Sequence, residues 1–90
     1  MTVLDHPHST WTPRVPRRHE IVATGGMEGV LRVGDALRAA GFPVRDFAVD
    51  VRDGVSCSSI TCTVSLSSAE AAVFAQRVAR CPSVVSVELR

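Results

Sequence analysis

The residue types that most often do chemistry are thinly spread along this chain. Its histidines, His6, His8 and His19, all stand at or before residue 19, while its three cysteines, Cys57, Cys62 and Cys81, lie far downstream. No Ser/His/Asp or Cys/His constellation can be assembled from that distribution, because nucleophile, base and orienting group need to converge in one folded core. His6 and His8 have no carboxylate or thiolate at ligand spacing, which specifies no metal site. Cys57 and Cys62 are five residues apart on what reads as one strand, so they point to opposite faces and could not readily share a metal or bridge each other. An odd number of thiols agrees with a reducing compartment and with cysteine used as a small packing residue. The expectation is therefore no enzyme, no metal and no cofactor. Recognition is the chemistry that remains, and its candidate is "TGGMEGVLRVGDALRAAGFPV", Thr24 to Val44. Glycines ahead of a helix let backbone N–H groups crowd an anion at the positive helix terminus, or they simply end a strand in a tight turn. No basic or hydroxyl residue follows them at P-loop spacing. Glu28 belongs either to such a site or only to the helix dipole.

The composition narrows the partners. Ninety residues make one domain, and a chain of this size buries only about 60% of its unfolded surface, so self-association is a natural remedy. With 46% apolar residues, 21% charged and a net charge of +1, nothing draws the chain strongly to nucleic acid or an anionic membrane. All ten basic residues are arginine, and Lys, Asn and Tyr are absent. No apolar run approaches the ~18 residues of a membrane span, and the first residues lack the basic start and apolar core of a secretory signal. A cytoplasmic protein is expected.

Residues 1–18 carry Pro7, Pro13, Pro16 and the Arg17-Arg18 pair without apolar periodicity, which predicts a flexible tail ahead of a domain at 19–90. Trp11 within it either docks on something or is partly solvated. "EIVAT" reads as a first strand, and Val30, Val33, Leu37 and Ala40 as the buried stripe of a helix ended by Gly41. Gly34, inside that helix, predicts a close approach to the sheet or to a neighbour. "VRDFAVDVRDG" and "VSCSSITCTVSL" alternate around an Asp53-Gly54 turn as a hairpin. Ser67 and Glu70 fit a capping box for a second helix with Ala71, Phe74, Val78 and Cys81 inward, stopped by Pro82. Val85, Val87 and Leu89 then alternate in a last strand. The order β-α-β-β-α-β predicts an α+β, ferredoxin-like fold, a four-stranded antiparallel sheet with two helices on one face.

Several functions of that fold fail at their residues. An RNA-recognition sheet needs aromatic side chains on its central strands, and "EIVAT" and "VSCSSITCTVSL" have none. An acylphosphatase-like site needs an asparagine, and a heavy-metal-binding domain needs two thiols where "GGMEGVL" stands. The second strand should lie at a sheet edge, which invites pairing. A two-fold antiparallel pairing centred on Val49 sets Asp46 opposite Arg52 and Phe47 opposite Val51 of the other copy, both favourable. A homodimer with a continuous eight-stranded sheet is expected, with Asp46, Phe47, Val49, Val51 and Arg52 at its interface.

With this order of elements, "GGMEGVLRVGDALRAAGFPV" resembles ACT domains, the amino-acid-sensing modules of metabolic enzymes. "VLRVGDALRAAGFPV" running into "RDFAVD" looks most like a small regulatory subunit of acetolactate synthase, over about residues 20–90. The most specific elements are Gly41-Phe42-Pro43-Val44 and the glycine-bearing loop before the helix. The resemblance implies a non-catalytic regulatory role, a larger metabolic enzyme as partner and an amino acid as effector. It implies a site between the Gly25, Gly26, Met27, Glu28 and Gly29 loop of one subunit and Pro43 and Val44 of its neighbour. Many ligand-binding members have Asn where Pro43 stands and Pro-Gly where Glu28-Gly29 stand; Pro43 supplies neither an amide side chain nor an N–H, and Glu28 adds a negative charge. A ligand-free dimerisation or interaction module of the same fold is the alternative.

Overall fold

Strand β1 (Val15–Thr24) leads into helix α1 (Gly26–Ala40), followed by β2 (Val44–Asp50), β3 (Cys57–Leu66), helix α2 (Ser68–Ala79) and β4 (Val84–Leu89). The computed structural model describes residues 13–51 and 56–90. Trp11, His6, His8, Arg52 and the Asp53-Gly54 turn lie outside the described residues. The sheet order is β2-β3-β1-β4 with every neighbouring pair antiparallel, which is the expected ferredoxin-like arrangement.

One face of the sheet carries the core. Ile21 and Ala23 of β1 and Ile60, Cys62, Val64 and Leu66 of β3 pack with Val30, Val33 and Leu37 of α1 and with Phe74 and Val78 of α2. The other face shows the small polar side chains of β3, Ser59, Thr61, Thr63 and Ser65, half-buried. Alternation along β3 thus sorts its side chains as the sequence pattern implies. Helix α2 begins in the predicted box: Ser67 Oγ accepts from the Glu70 N–H at 3.1 Å and Glu70 Oε1 accepts from the Ser67 N–H at 2.9 Å. Glu70 also takes Arg14, with Arg14 Nη2 2.6 Å from its Oε2.

Three features depart from the sequence reading. Strand β1 begins at Val15 rather than Glu20, because all ten residues of β3 find a partner along it, from Val15↔Leu66 to Thr24↔Cys57. Residues 15–18 therefore belong to the sheet and not to a tail. Pro16 is accommodated where β1 has one neighbour only, since β4 pairs with β1 just from His19 to Ala23. In β4, a register shift pairs Ser86 with Val22 and Val84 with Ala23, so Val85 is the extra residue and is 60% exposed. Val84 packs against the core in its place, and Leu89 at the open edge is exposed.

The third departure is His19, which sits inside the core and not before it. It is 3% exposed, its ring centroid is 4.9 Å from that of Phe74, and its Nδ1 donates to the Arg17 carbonyl at 3.2 Å. Burial holds its pKa below the ordinary imidazole value, with the nearby Arg17 charge adding to the effect and the carbonyl bond opposing it. Above about pH 6.5 the imidazole is neutral in folded and unfolded chains alike and stability does not depend on it. Below that, the unfolded chain takes up a proton that the folded chain resists, so stability falls as the pH drops toward the lowered folded pKa. The urea midpoint is expected to fall between pH 7.5 and 5.5, and His19→Leu should remove most of that fall. An equal fall in the variant would place the titration elsewhere.

Candidate functional site

The glycine loop joins the end of β1 to α1. Gly25 (φ 92°) and Gly26 (φ 58°) are both left-handed, a conformation that side-chain-bearing residues rarely adopt. Gly25 is the N-cap and no side chain caps the helix, whose first bond runs from the Gly29 N–H to the Gly25 carbonyl at 3.1 Å. The N–H groups of the first turn thus face outward without an internal acceptor from a cap. Met27 is 58% exposed. Gly29 is buried for a different reason: a Cβ there would overlap the Thr24 carbonyl oxygen and come 2.8 Å from its carbon. Its bare backbone lets α1 lie directly on the end of β1.

Two residues that the sequence did not single out complete this end of the molecule. The buried Ser83, in the turn between α2 and β4, accepts from the Thr24 N–H at 2.8 Å through its carbonyl. Its Oγ accepts from Arg32 Nη1 at 3.4 Å. Arg32 Nη2 also stands 3.4 Å from Glu28 Oε1, which balances the carboxylate at the helix start. A Ser after Cys-Pro and an Arg on a polar helix face carry no signal in sequence, and only the tertiary contact joins them to the loop.

Pro43 and Val44 are at the other end of α1, separated from the glycine loop by a fifteen-residue helix about 22 Å long. Within one chain the two halves of the predicted site do not meet. Pro43 and Val44 instead line an open groove of about 660 Å³ with Leu37, Phe42 and Phe47, bounded on the α1 side by Gly34 and Arg38. Gly34 does not bring the helix close to the sheet, as its position suggested, because a Cβ there would meet nothing within 4 Å. It costs the helix about 1 kcal/mol relative to Ala with no packing return inside the chain.

Strand β2 is at the sheet edge, and Phe47 and Val49 on it and Val51 just past its end are 46%, 38% and 40% exposed. Val49 lies beside Ile60, on the helix-covered face, yet stays half open because β2 has no outer neighbour. Asp46 departs from the expected pairing. Its φ of 54° places it in a bulge where the register shifts between Arg45 and Ala48, so it cannot face Arg52 of another copy in a regular ladder. Ala48 to Asp50 is the regular part of the edge beyond the bulge. Among the described residues, no group of three or more His, Cys, Asp or Glu could hold a metal ion, and no helix is long and apolar enough to cross a membrane.

Sequence comparison brings out no family model and no curated protein that matches this chain. Solved structures do match. The ACT domain of the GTP pyrophosphokinase of Chlorobium tepidum superposes with a TM-score of 0.71 over 86% of this chain and 99% of that one, at 9% identity. The chain shares that domain's fold. The C-terminal domain of the MgtC protein from Mycobacterium tuberculosis also superposes, with a TM-score of 0.60 over 88% of this chain and 87% of that one, at 11% identity. Each likeness thus spans most of the chain.

Proposed function

We propose that the chain is a non-catalytic, cytoplasmic regulatory subunit that dimerises through β2, senses an amino acid and acts on a larger metabolic enzyme such as acetolactate synthase. The likeness to the ACT domain of a GTP pyrophosphokinase over 86% of the chain supports this reading. The left-handed Gly25-Gly26 pair ahead of an uncapped α1 supports the effector part, because first-turn N–H groups there can take a carboxylate. In an eight-stranded dimer centred on Val49, Pro43 and Val44 at the start of one β2 lie toward the glycine loop of the other copy, which would join the two halves.

A panel of amino acids at millimolar concentration tests the effector directly. Binding to the native state alone raises stability, by about 2.7 kcal/mol at one hundred times the dissociation constant. An upward shift in melting temperature with one chemical class of amino acid, lost in Gly26→Val, is expected. No shift with any of them favours the ligand-free interaction module, and a pull-down with purified acetolactate synthase catalytic subunit then decides whether that enzyme is the partner.

A further inference from the structure

The sheet face turned away from the helices carries a group of charges that the proposed regulatory role does not use. Residues directly paired across an antiparallel ladder point to the same face, with Cβ atoms about 5 Å apart. Thr63 of β3 pairs with Arg18 of β1 on one side and with Arg45 of β2 on the other, so a threonine hydroxyl stands between two arginines. Arg14, Arg38 and Arg90 all reach carboxylates. Among the described residues, the side chains of Arg18 and Arg45 have no hydrogen-bond or ion-pair partner. Asp46 joins this group by way of the bulge. Strict alternation after Arg45 would turn it to the helix face, but Asp46 and Phe47 together stand where β3 has Cys62 alone, and a left-handed backbone re-aims Asp46. Among the described residues it is the one side-chain-bearing residue held at positive φ, a strain that persists only where the surrounding structure imposes it. It lines a hollow of about 450 Å³ with Arg18, Phe47, Ala48, Thr61 and Thr63, and it does not pair with Arg18. Arg45 borders the hollow across Thr63.

We propose that this hollow binds a phosphate that keeps a proton, inorganic phosphate above all. Arg18, Arg45 and the Thr63 hydroxyl donate to its oxygens, and Asp46 accepts from its P–OH. Guanidinium groups suit a compact oxyanion, and an arginine stem is long enough for two of them to converge above one threonine. The Asp46 carboxylate, by itself unfavourable to an anion, then sets the selectivity. Inorganic phosphate retains a proton throughout the neutral range, whereas sulfate has none and a phosphate monoester loses its last one near pH 6. A carboxylate acceptor uses that proton and repels an oxyanion without one, which is discrimination by an unpaired charge. Arg18 is six residues, or about 20 Å, along β1 from Thr24 and the glycine loop, so the site is separate from the effector site and does not depend on it.

The test is an NMR titration of the full chain, with the segments ahead of β1 and between β2 and β3 in place, at about pH 7.5 and constant ionic strength. Sodium phosphate, sodium sulfate and methyl phosphate are the probes. Phosphate is expected to shift the Thr61 and Thr63 amides with a dissociation constant of about 1 mM, and sulfate and methyl phosphate to bind about tenfold or more weakly. Arg18→Gln and Arg45→Gln should each weaken phosphate about tenfold, and Arg80→Gln, an exposed arginine just after α2, should leave it unchanged. Asparagine tolerates the left-handed backbone and can donate as well as accept, so Asp46→Asn should bring sulfate to within about threefold of phosphate. Sulfate or methyl phosphate bound as tightly as phosphate by the native chain would overturn the selection for a proton. Phosphate binding unmoved by both arginine variants, or no shift of the Thr61 and Thr63 amides at ~50 mM phosphate, would overturn the site itself.

Discussion

Gly29→Ala is expected to lower stability by about 3 kcal/mol or more, although Ala is the best helix former and Gly29 lies inside a helix. The added methyl would overlap the Thr24 carbonyl oxygen and stand 2.8 Å from its carbon. Both are backbone atoms of a strand whose N–H is tied to the Ser83 carbonyl at 2.8 Å, so the strand cannot give way cheaply. Relief would require α1 to lift from β1, which would loosen Val30 and Val33, both in the core. A chain of this size has about 5–13 kcal/mol in all, so such a loss is a large share. Denaturant unfolding checks this against Gly34→Ala, where a Cβ meets nothing and a gain of up to about 1 kcal/mol is expected. Equal midpoints for Gly29→Ala and the native chain would sink the packing account. The contrast bears on function, because it gives Gly29 a structural reason and leaves Gly25 and Gly26 as the glycines available to a ligand.

The contrast also shows what a sequence can reveal about such a chain. Periodicity exposes the two helices and the alternation of β3, and the Ser67-Glu70 box marks a helix start to the residue, because each of these signals is local. Features set by a partner element are not local. Val84 and Val85 are both β-branched, and only the register against Val22 and Ala23 decides which one turns inward. Asp46 reads as one more residue of an alternating strand, yet the pairing of β2 with β3 puts it in a left-handed bulge. His19 reads as polar and joins the core because β1 is extended by the full length of β3. The candidate site divides along the same line: its glycines were visible as a loop before a helix, while Ser83 and Arg32 reach that loop only through the turn between α2 and β4.

Phe74→Ala is the second substitution with a large expected effect, about 3–5 kcal/mol. Phe74 is fully buried on α2, and its ring meets His19 of β1 at 4.9 Å and Phe42 at 5.9 Å, the latter edge-on at 71°. Phe42 follows the left-handed Gly41 that ends α1, so this aromatic contact fixes the short connection from which Pro43 and Val44 depart. Removing the ring should therefore do two things beyond opening a cavity. The groove lined by Phe42, Pro43 and Val44 loses the support beneath it. His19 loses the apolar neighbour that contributes to its burial, so its lowered pKa should rise toward the ordinary imidazole value and the acid-side fall in stability should flatten. Phe74→Leu, which keeps most of the volume, separates these effects from simple unfolding. Its His19 ring, followed by NMR titration, should shift upward by less than in Phe74→Ala, and Phe74→Ala itself can be measured wherever enough of it stays folded. A His19 pKa that stays equally low in both variants would mean that burial by the rest of the core and the Arg17 charge, not the aromatic ring, keep the imidazole neutral. In that case α2 could be repacked without altering the pH response of the fold.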